Sequence, residues 1–550
     1  MFEFLKQVSS LEKVFMENDR DFADFDSMSA LGGEEISYQI VFRLSDRTPS
    51  PTKISVSVKC DEIEPEVFRV VNVPVGLAAY PDCSDDGYIS KQPGLYPDLL
   101  LPLENGAIYA SAGVTYALWV SVRLPKNAGY GKITVSSKLS EQFSGECADL
   151  SFEIDSVGVP LPENDLPVTL WFHNDCIASA HKTSVFSERH WQLTELYMKA
   201  ASDIGMNMIL TPIFTPPLDT TVGGERPTAQ LVDVIKKGKE YDFGFEKFDR
   251  YIQTALRCGM KYFEISHLFT QWGAEHAPKI IAVEDGEQKR IFGWETDLRD
   301  GEYGAFLDAF LLSFTAHIKE LGIAENCFFH ISDEPNGEML DNYKYAKSLV
   351  SRRLEGFKII DALSNFEYYS EGAVELPVVA TDRIEPFLDA KADIFCYYCC
   401  AQGAGGVANR FIAMPSARNR ILAYQMYKYN VKGFLQWGFN FYYSRLSQAE
   451  INPFVTTDAD GAFPSGDAFI VYPSESGEPY PSIRAKVFKE MLEDFSAMKL
   501  LDAVAGESVS VGIAEKYLGD IEFFNSTPSE EAIIAARRAI NSAISELAER

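Results

Sequence analysis

Basic residues are scarce in this chain of 550: 50 Lys and Arg stand against 80 Asp and Glu, a formal net charge of −30. That balance argues against nucleic acid or an anionic membrane surface as the main partner, because both attract basic proteins. Long apolar runs are missing as well. No stretch approaches the ~18–20 residues that span a bilayer, and the start, Met1-Phe2-Glu3-Phe4-Leu5-Lys6, lacks the apolar stretch of a secretory leader. The expectation is a cytoplasmic protein. Cysteines number nine, few and odd, which points to reduced thiols rather than a disulfide framework. Cys396, Cys399 and Cys400 crowd one segment with no second Cys/His pair at zinc spacing, so buried free thiols fit better than a metal site. The simplest catalytic signatures are absent too: there is no G-x-S-x-G, no H-E-x-x-H and no G-x-x-x-x-G-K-[ST]. No cofactor and no metal are implied.

What is present is periodicity of two kinds. Residues 1–30 read as a lead-in with a short helix. From Glu34 to about Val157, period-two segments at Ile36–Phe42, Lys53–Val58, Val67–Val73, Ala117–Val122, Lys132–Ser137 and Ala148–Ile154 alternate with turn signals, the pattern of an antiparallel β-sandwich. Gly94-Leu95-Tyr96-Pro97-Asp98 reads as a loop leaning on the neighbouring domain, and Pro160-Leu161-Pro162 as a linker. The predicted domains are thus a sandwich over 1–160, a catalytic unit over 165–450 and an extension over 451–550.

In the middle unit eight buried strands are expected, at Val168–Phe172, Asn207–Thr211, Lys261–Ser266, Cys327–Ser332, Lys358–Ala362, Pro377–Ala380, Asp393–Tyr398 and Gly433–Trp437. Amphipathic helices lie between several of them. Ser187 caps one that ends at Gly205; a second ends at Gly259, and a third runs from Glu302 to Gly322. Such units fit a (β/α)8 barrel of the usual ~250 residues. The segments after strands two and three, 212–242 and 267–301, read as long loops of the kind that build a pocket. In the extension, 482–501 is helical, and Thr527-Pro528-Ser529-Glu530 reads as a capping box. Its helix carries an apolar stripe through Ile533, Ile540 and Ile544 that needs a cover, either the barrel or a second subunit of a homo-oligomer.

Strand four ends abruptly on Asp333-Glu334-Pro335. Proline restricts the residue before it, so Glu334 is expected to leave the strand extended. Two carboxylates at the C-terminal end of a barrel strand mark a catalytic mouth. Around it, His173, Asp175, His267, Trp272, Tyr397, Tyr398, Trp437, Asn440 and Tyr442 fall at or just beyond strand ends, with Trp171 beside the first pair. Aromatic faces and directional polar groups suit a sugar. Adjacent acids are badly placed to flank an anomeric carbon from opposite sides, as two-carboxylate glycosidases require. They are well placed if one protonates the leaving oxygen while the other steadies a nucleophile carried by the substrate, such as a 2-acetamido group. On that reading Glu334 is the acid and later base, Asp333 orients the acetamide, and Tyr397 or Tyr398 donates to its oxygen. A conventional carboxylate nucleophile, Glu264 or Asp382, is the rival, and a non-catalytic carbohydrate-binding barrel is the third reading.

The chain resembles glycoside hydrolase family 123, the retaining β-N-acetylgalactosaminidases. The resemblance rests on Trp171-Phe172-His173-Asn174-Asp175, Thr215-Pro216-Pro217-Leu218-Asp219-Thr220, His267-Leu268-Phe269-Thr270-Gln271-Trp272-Gly273, His330-Ile331-Ser332-Asp333-Glu334-Pro335, Gly433-Phe434-Leu435-Gln436-Trp437-Gly438-Phe439-Asn440 and Pro481-Ser482-Ile483-Arg484. It implies a sandwich followed by a (β/α)8 barrel and no metal. It also implies an Asp-Glu pair, here Asp333 and Glu334, acting by substrate assistance through an oxazolinium intermediate on a glycan with a 2-acetamido sugar.

Overall fold

The computed structural model describes residues 2–17, 21–61, 63–335 and 337–548. Its N-terminal part is a sandwich of two five-stranded sheets. One sheet runs Phe2–Ser9, Glu35–Leu44, Thr115–Arg123, Glu66–Val75, Gly94–Pro102. The other runs Ser27–Gly32, Cys147–Pro160, Tyr130–Glu141, Thr52–Lys59, Ala107–Ala110. Pairing is antiparallel except between Ser27–Gly32 and Cys147–Pro160. Alternation puts Tyr38 and Ile40 of one sheet against Val135, Leu139 and Phe152 of the other, and the rings of Tyr38 and Phe152 stack at 4.1 Å.

The expected helical lead-in is wrong: Phe2–Ser9 and Ser27–Gly32 are strands. Phe2–Ser9 hides its period because both faces are covered, the outer one by a small cluster of Val8, Val14, Phe22, Val41 and Ala117. Residues 18–20 lie outside the described residues. Gly94–Pro102 is an edge strand rather than a loop, and its Pro97 sits at a register shift opposite Asn72, where a missing N–H costs no ladder bond. It does meet the neighbouring unit: buried Asp98 accepts from Arg484 Nε and Nη2, both at 2.8 Å, and from Tyr472 Oη at 2.6 Å.

All eight expected barrel strands are present, as Val168–Leu170, Met208–Thr211, Tyr262–Ile265, Cys327–Phe329, Lys358–Ala362, Leu376–Ala380, Phe395–Tyr397 and Gly433–Gln436. They form one parallel sheet that runs from strand two in order to strand eight and on to strand one. The seam between strands one and two is bridged by Asn207, whose N–H donates to Val168 O (3.3 Å) while its Oδ1 accepts from Val168 N (2.9 Å). The interior is filled by Met208, Leu210, Phe328, Ile360, Val378, Phe395 and Leu435. Gly433 is required beside Phe395, since a Cβ there would lie 2.3 Å from the ring.

The segments after strands two and three are not plain loops. They carry Asp233–Lys237, Glu240–Gly244, Ile280–Glu284 and Glu287–Phe292, two hairpins joined in parallel as one four-stranded sheet. Beyond the barrel, Ile483–Ala505 is a long helix capped by Ser482, whose Oγ accepts from Ala485 N. The last helix, Glu530–Ala548, is capped by Ser529 rather than Thr527. Its stripe meets the sandwich as well as the long helix: Asn541 Nδ2 donates to Ser29 O (3.0 Å), and Arg537 pairs with Glu34 and Asp494. Among the described residues no helix is long and apolar enough to cross a membrane.

Candidate active site

A cavity of about 260 Å³ opens at the C-terminal end of the barrel. Its floor is Trp171, Leu218, Ala362 and Leu435; its walls are Asp219, Gln271, Trp272, Tyr397, Cys399, Cys400, Trp437, Arg445 and Phe463, and Asp333 and Glu334 project into it. That volume is near the lower end of small-molecule pockets, ~300–1,000 Å³, and matches one sugar ring.

The acid pair is held by backbone bonds on both sides. Trp272 N donates to Asp333 O (2.7 Å), and Glu334 N donates to Ala362 O (2.9 Å). Glu334 does not leave the strand extended, as its proline neighbour led us to expect. It is left-handed, with φ +41°, and Trp272 beside it has φ +59°. Such strain in a non-glycine residue costs ~1–3 kcal/mol and persists where the surroundings fix it; here the turn aims both carboxyls at one cavity.

The phenol of Tyr397 donates to Glu334 Oε1 at 2.7 Å. Burial keeps that phenol protonated far above its usual range, so it acts as a donor. Burial raises the carboxyl of Glu334, and the bond from Tyr397 partly offsets the rise. Asp333 is driven up further, first by burial and then by the charge of Glu334. Asp333 is buried whereas Glu334 is open to the cavity, and repulsion between the neighbouring carboxylates favours one proton on the pair over two negative charges.

Of the eleven residues singled out in the sequence, Asp333, Glu334, Trp272, Tyr397 and Trp437 meet at the cavity. Trp272 is 41% exposed, a lid edge, whereas Trp437 is fixed by its Nε1 bond to Asp467 Oδ2 (2.9 Å). The other six are not among the lining residues. His173 donates and accepts elsewhere: Nε2 meets Trp437 O (2.9 Å) and Nδ1 meets Arg226 Nη2 (3.2 Å). Burial and the Arg226 charge hold that imidazole neutral, down to about 3. Asp175 forms a buried two-bond pair with Arg226, at 2.8 and 2.7 Å. Asn440 clamps the backbone of His173 through both its amide atoms. Tyr442 donates to Val471 O, and Tyr398 to Asn419 Oδ1, both facing outward into packing. His267 is buried below the cavity, stacked on His330 with ring centroids 4.2 Å apart.

The rival nucleophiles are displaced as well. Glu264 is wholly buried, accepting from Thr169 Oγ1, Trp171 Nε1 and His330 Nε2, each at 2.7 Å. Asp382 accepts from Gln402, which in turn holds Cys399 N, so it shapes the loop after strand seven. Asp219 went unnoticed in the sequence except inside the quoted run 215–220. It lines the cavity with φ +38°, and its Oδ2 accepts from Leu446 N (2.9 Å). Arg445 and Phe463 come from loops beyond strand eight, and no local pattern announces them.

Among the described residues, His267, His330 and Asp361 are the group of ligand-type side chains whose atoms lie close enough to hold a metal. Both nitrogens of His330 and the oxygens of Asp361 are already engaged by protein partners. A wider groove of about 780 Å³ lies between the last two helices and residues 23–25, away from the barrel mouth.

The model for glycoside hydrolase 123, catalytic domain, matches residues 171–501, well over half of the chain. The chain belongs to glycoside hydrolase family 123. A family 123 glycoside hydrolase from Clostridium perfringens, studied for glycolipid glycan hydrolysis, has the same fold over the whole length. Its TM-score is 0.74 at 15% identity, covering 99% of this chain and 98% of that one. A Parabacteroides merdae β-glucuronidase is similar in part, with TM-score 0.33 at 9% identity over 90% of this chain and 52% of its own. No curated protein matches in sequence. The family 123 enzyme described here is therefore a glycosidase built on a sandwich and a (β/α)8 barrel.

Proposed function

We propose that this glycoside hydrolase removes terminal β-linked N-acetylgalactosamine, or a related N-acetylhexosamine, with retention and through an oxazolinium intermediate. The observation that carries the reading is the convergence of Asp333 and Glu334, neighbours in the chain, on one sugar-sized cavity. Glu334 protonates the leaving oxygen and then activates water. Asp333 accepts the acetamide N–H, so the acetamide oxygen attacks the anomeric carbon, and it balances the positive charge that develops. The shared proton suits this division. An acetamide N–H directed at Asp333 stabilises its anion, which leaves the proton on Glu334. Trp171, Trp437 and Trp272 offer faces for the ring, and Tyr397, as a protonated donor beside Glu334, is the candidate partner for the acetamide oxygen.

Release of p-nitrophenol from the β-GalNAc and β-GlcNAc glycosides tests the reading, with β-anomer as the first product by NMR and tight inhibition by the matching thiazoline. Absence of turnover on both glycosides, with folded protein, would sink it. Glycolipid glycans, the subject of work on the Clostridium perfringens enzyme, are the first natural substrates to try. The nine free cysteines fit a reducing compartment, so we place the reaction in the cytoplasm.

Asp219 supports a second reading, a conventional nucleophile on a sugar without an acetamide, because it is the remaining carboxylate among the described lining residues. Asp219→Asn separates the two: loss of activity comparable to Glu334→Gln, with no thiazoline inhibition of the parent enzyme, favours it.

A further inference from the structure

The layer of the barrel directly under the cavity is polar, although the layers below it are filled by Phe328, Met208 and Val378. Glu264, His330 and Asp361 face one another there from strands three, four and five, all fully buried. Burying three ionisable groups is costly unless each is paired. His330 Nε2 meets Glu264 Oε1 at 2.7 Å, and its Nδ1 meets Asp361 Oδ1 at 3.2 Å. An imidazole whose two nitrogens both face carboxylate oxygens donates from both, and is a cation. Each carboxylate then reaches a different part of the site. Glu264 accepts from Trp171 Nε1, which fixes the indole on the cavity floor. Asp361 accepts from Ile331 N (2.9 Å), Ser332 N (3.3 Å) and Tyr343 Oη, which fixes the backbone immediately before Asp333.

We propose that His330 is a positioning residue for the reaction: lodged between Glu264 and Asp361, it ties the sugar floor to the backbone that carries Asp333. This rests on the role given to Asp333 above. The groups facing His330 are Glu264 from strand three, Asp361 from strand five, His267 stacked from the loop after strand three, and the Trp171 edge from beyond strand one; Asp333, three residues on in the chain, feels its charge. His267 adds no charge, since burial and its neighbour's cation hold it neutral. Burial is the largest single influence on His330 and lowers it, but the two carboxylates together outweigh burial and raise the imidazole to about 9. Its charge in turn pulls down an Asp333 carboxyl that burial and Glu334 push up.

The sign of the effect follows. Removing the cation raises Asp333 further, so the anion needed for catalysis is lost at higher pH. In full-length His330→Gln the low-pH limb of kcat on the p-nitrophenyl hexosaminide moves upward by about one unit. At the optimum kcat falls ~10- to 100-fold, the scale of a misplaced catalytic group, while KM changes less. A pH profile superimposable on wild type, with loss confined to Tm or folded fraction, overturns the proposal and leaves the Asp333 assignment standing. A wild type with no turnover sinks that assignment instead. In that case, or if the variant does not fold, ¹⁵N-histidine NMR of the wild type decides the charge. One buried imidazole doubly protonated to pH 8 is expected, and a neutral His330 at pH 7 contradicts the proposal.

Discussion

Two polar clusters gather beyond the strand ends of this barrel and teach opposite lessons. On the side of strands four and seven, Asp333, Glu334 and Tyr397 converge and still face open space. On the side of strands one and eight, His173, Asp175, Arg226 and Asn440 are equally polar and more buried, yet they bond one another. Arg226 also donates to Leu218 O (3.0 Å) and lies 5.4 Å from the rings of Phe441 and Tyr443. That second cluster is a latch closing the loop after strand two onto strand eight. Both clusters are polar and gather beyond strand ends; what separates them is whether the polar atoms already have protein partners.

The comparison breaks most sharply at the acids. Glu334→Gln and Asp333→Asn are each expected to lower kcat by ~10²–10⁴ with little loss of Tm; near-full activity in either removes the role assigned to it. Asp175→Asn reports on the other side. Removing one partner of a buried pair costs ~3–5 kcal/mol, so a clear fall in Tm is expected, with kcat per folded molecule largely kept. A selective loss of kcat there would make the latch part of the chemistry. Trp272→Ala, at the exposed rim, removes a ring face worth about 1 kcal/mol; KM for the hexosaminide should rise roughly fivefold while kcat holds. Tyr397→Phe is the mildest and works through pH. In the free enzyme its donation lowers the Glu334 carboxyl, so its loss lets Glu334 stay protonated to higher pH, and the alkaline limb of kcat/KM moves upward. A limb that stays in place separates Tyr397 from Glu334 in solution.

Much of this was legible in the chain. Parallel strands buried on both faces leave continuous apolar runs, and all eight were found that way, although strand four is shorter than its run and ends at Phe329. Phe2–Ser9 escaped because covering both faces erases the alternation, and Gly94–Pro102 because a proline is tolerated only at the irregularity that pairing creates. The acid pair and three aromatic walls were readable from strand ends. Asp219, Arg445 and Phe463 were not, since long connections bring them there. Nor was the left-handed turn at Glu334, which is held by backbone bonds to the loop after strand three and to strand five. The latch was mistaken for a pocket wall because partner saturation is a three-dimensional property.

The central claim is that the substrate's own amide oxygen attacks the anomeric carbon. It is tested most directly by hydrolysis of p-nitrophenyl β-hexosaminides carrying N-acetyl, N-monofluoroacetyl, N-difluoroacetyl and N-trifluoroacetyl groups. Each fluorine weakens that oxygen as a nucleophile, so kcat/KM is predicted to fall steeply and in order along the series. A flat series would contradict the account and return the nucleophile to the protein.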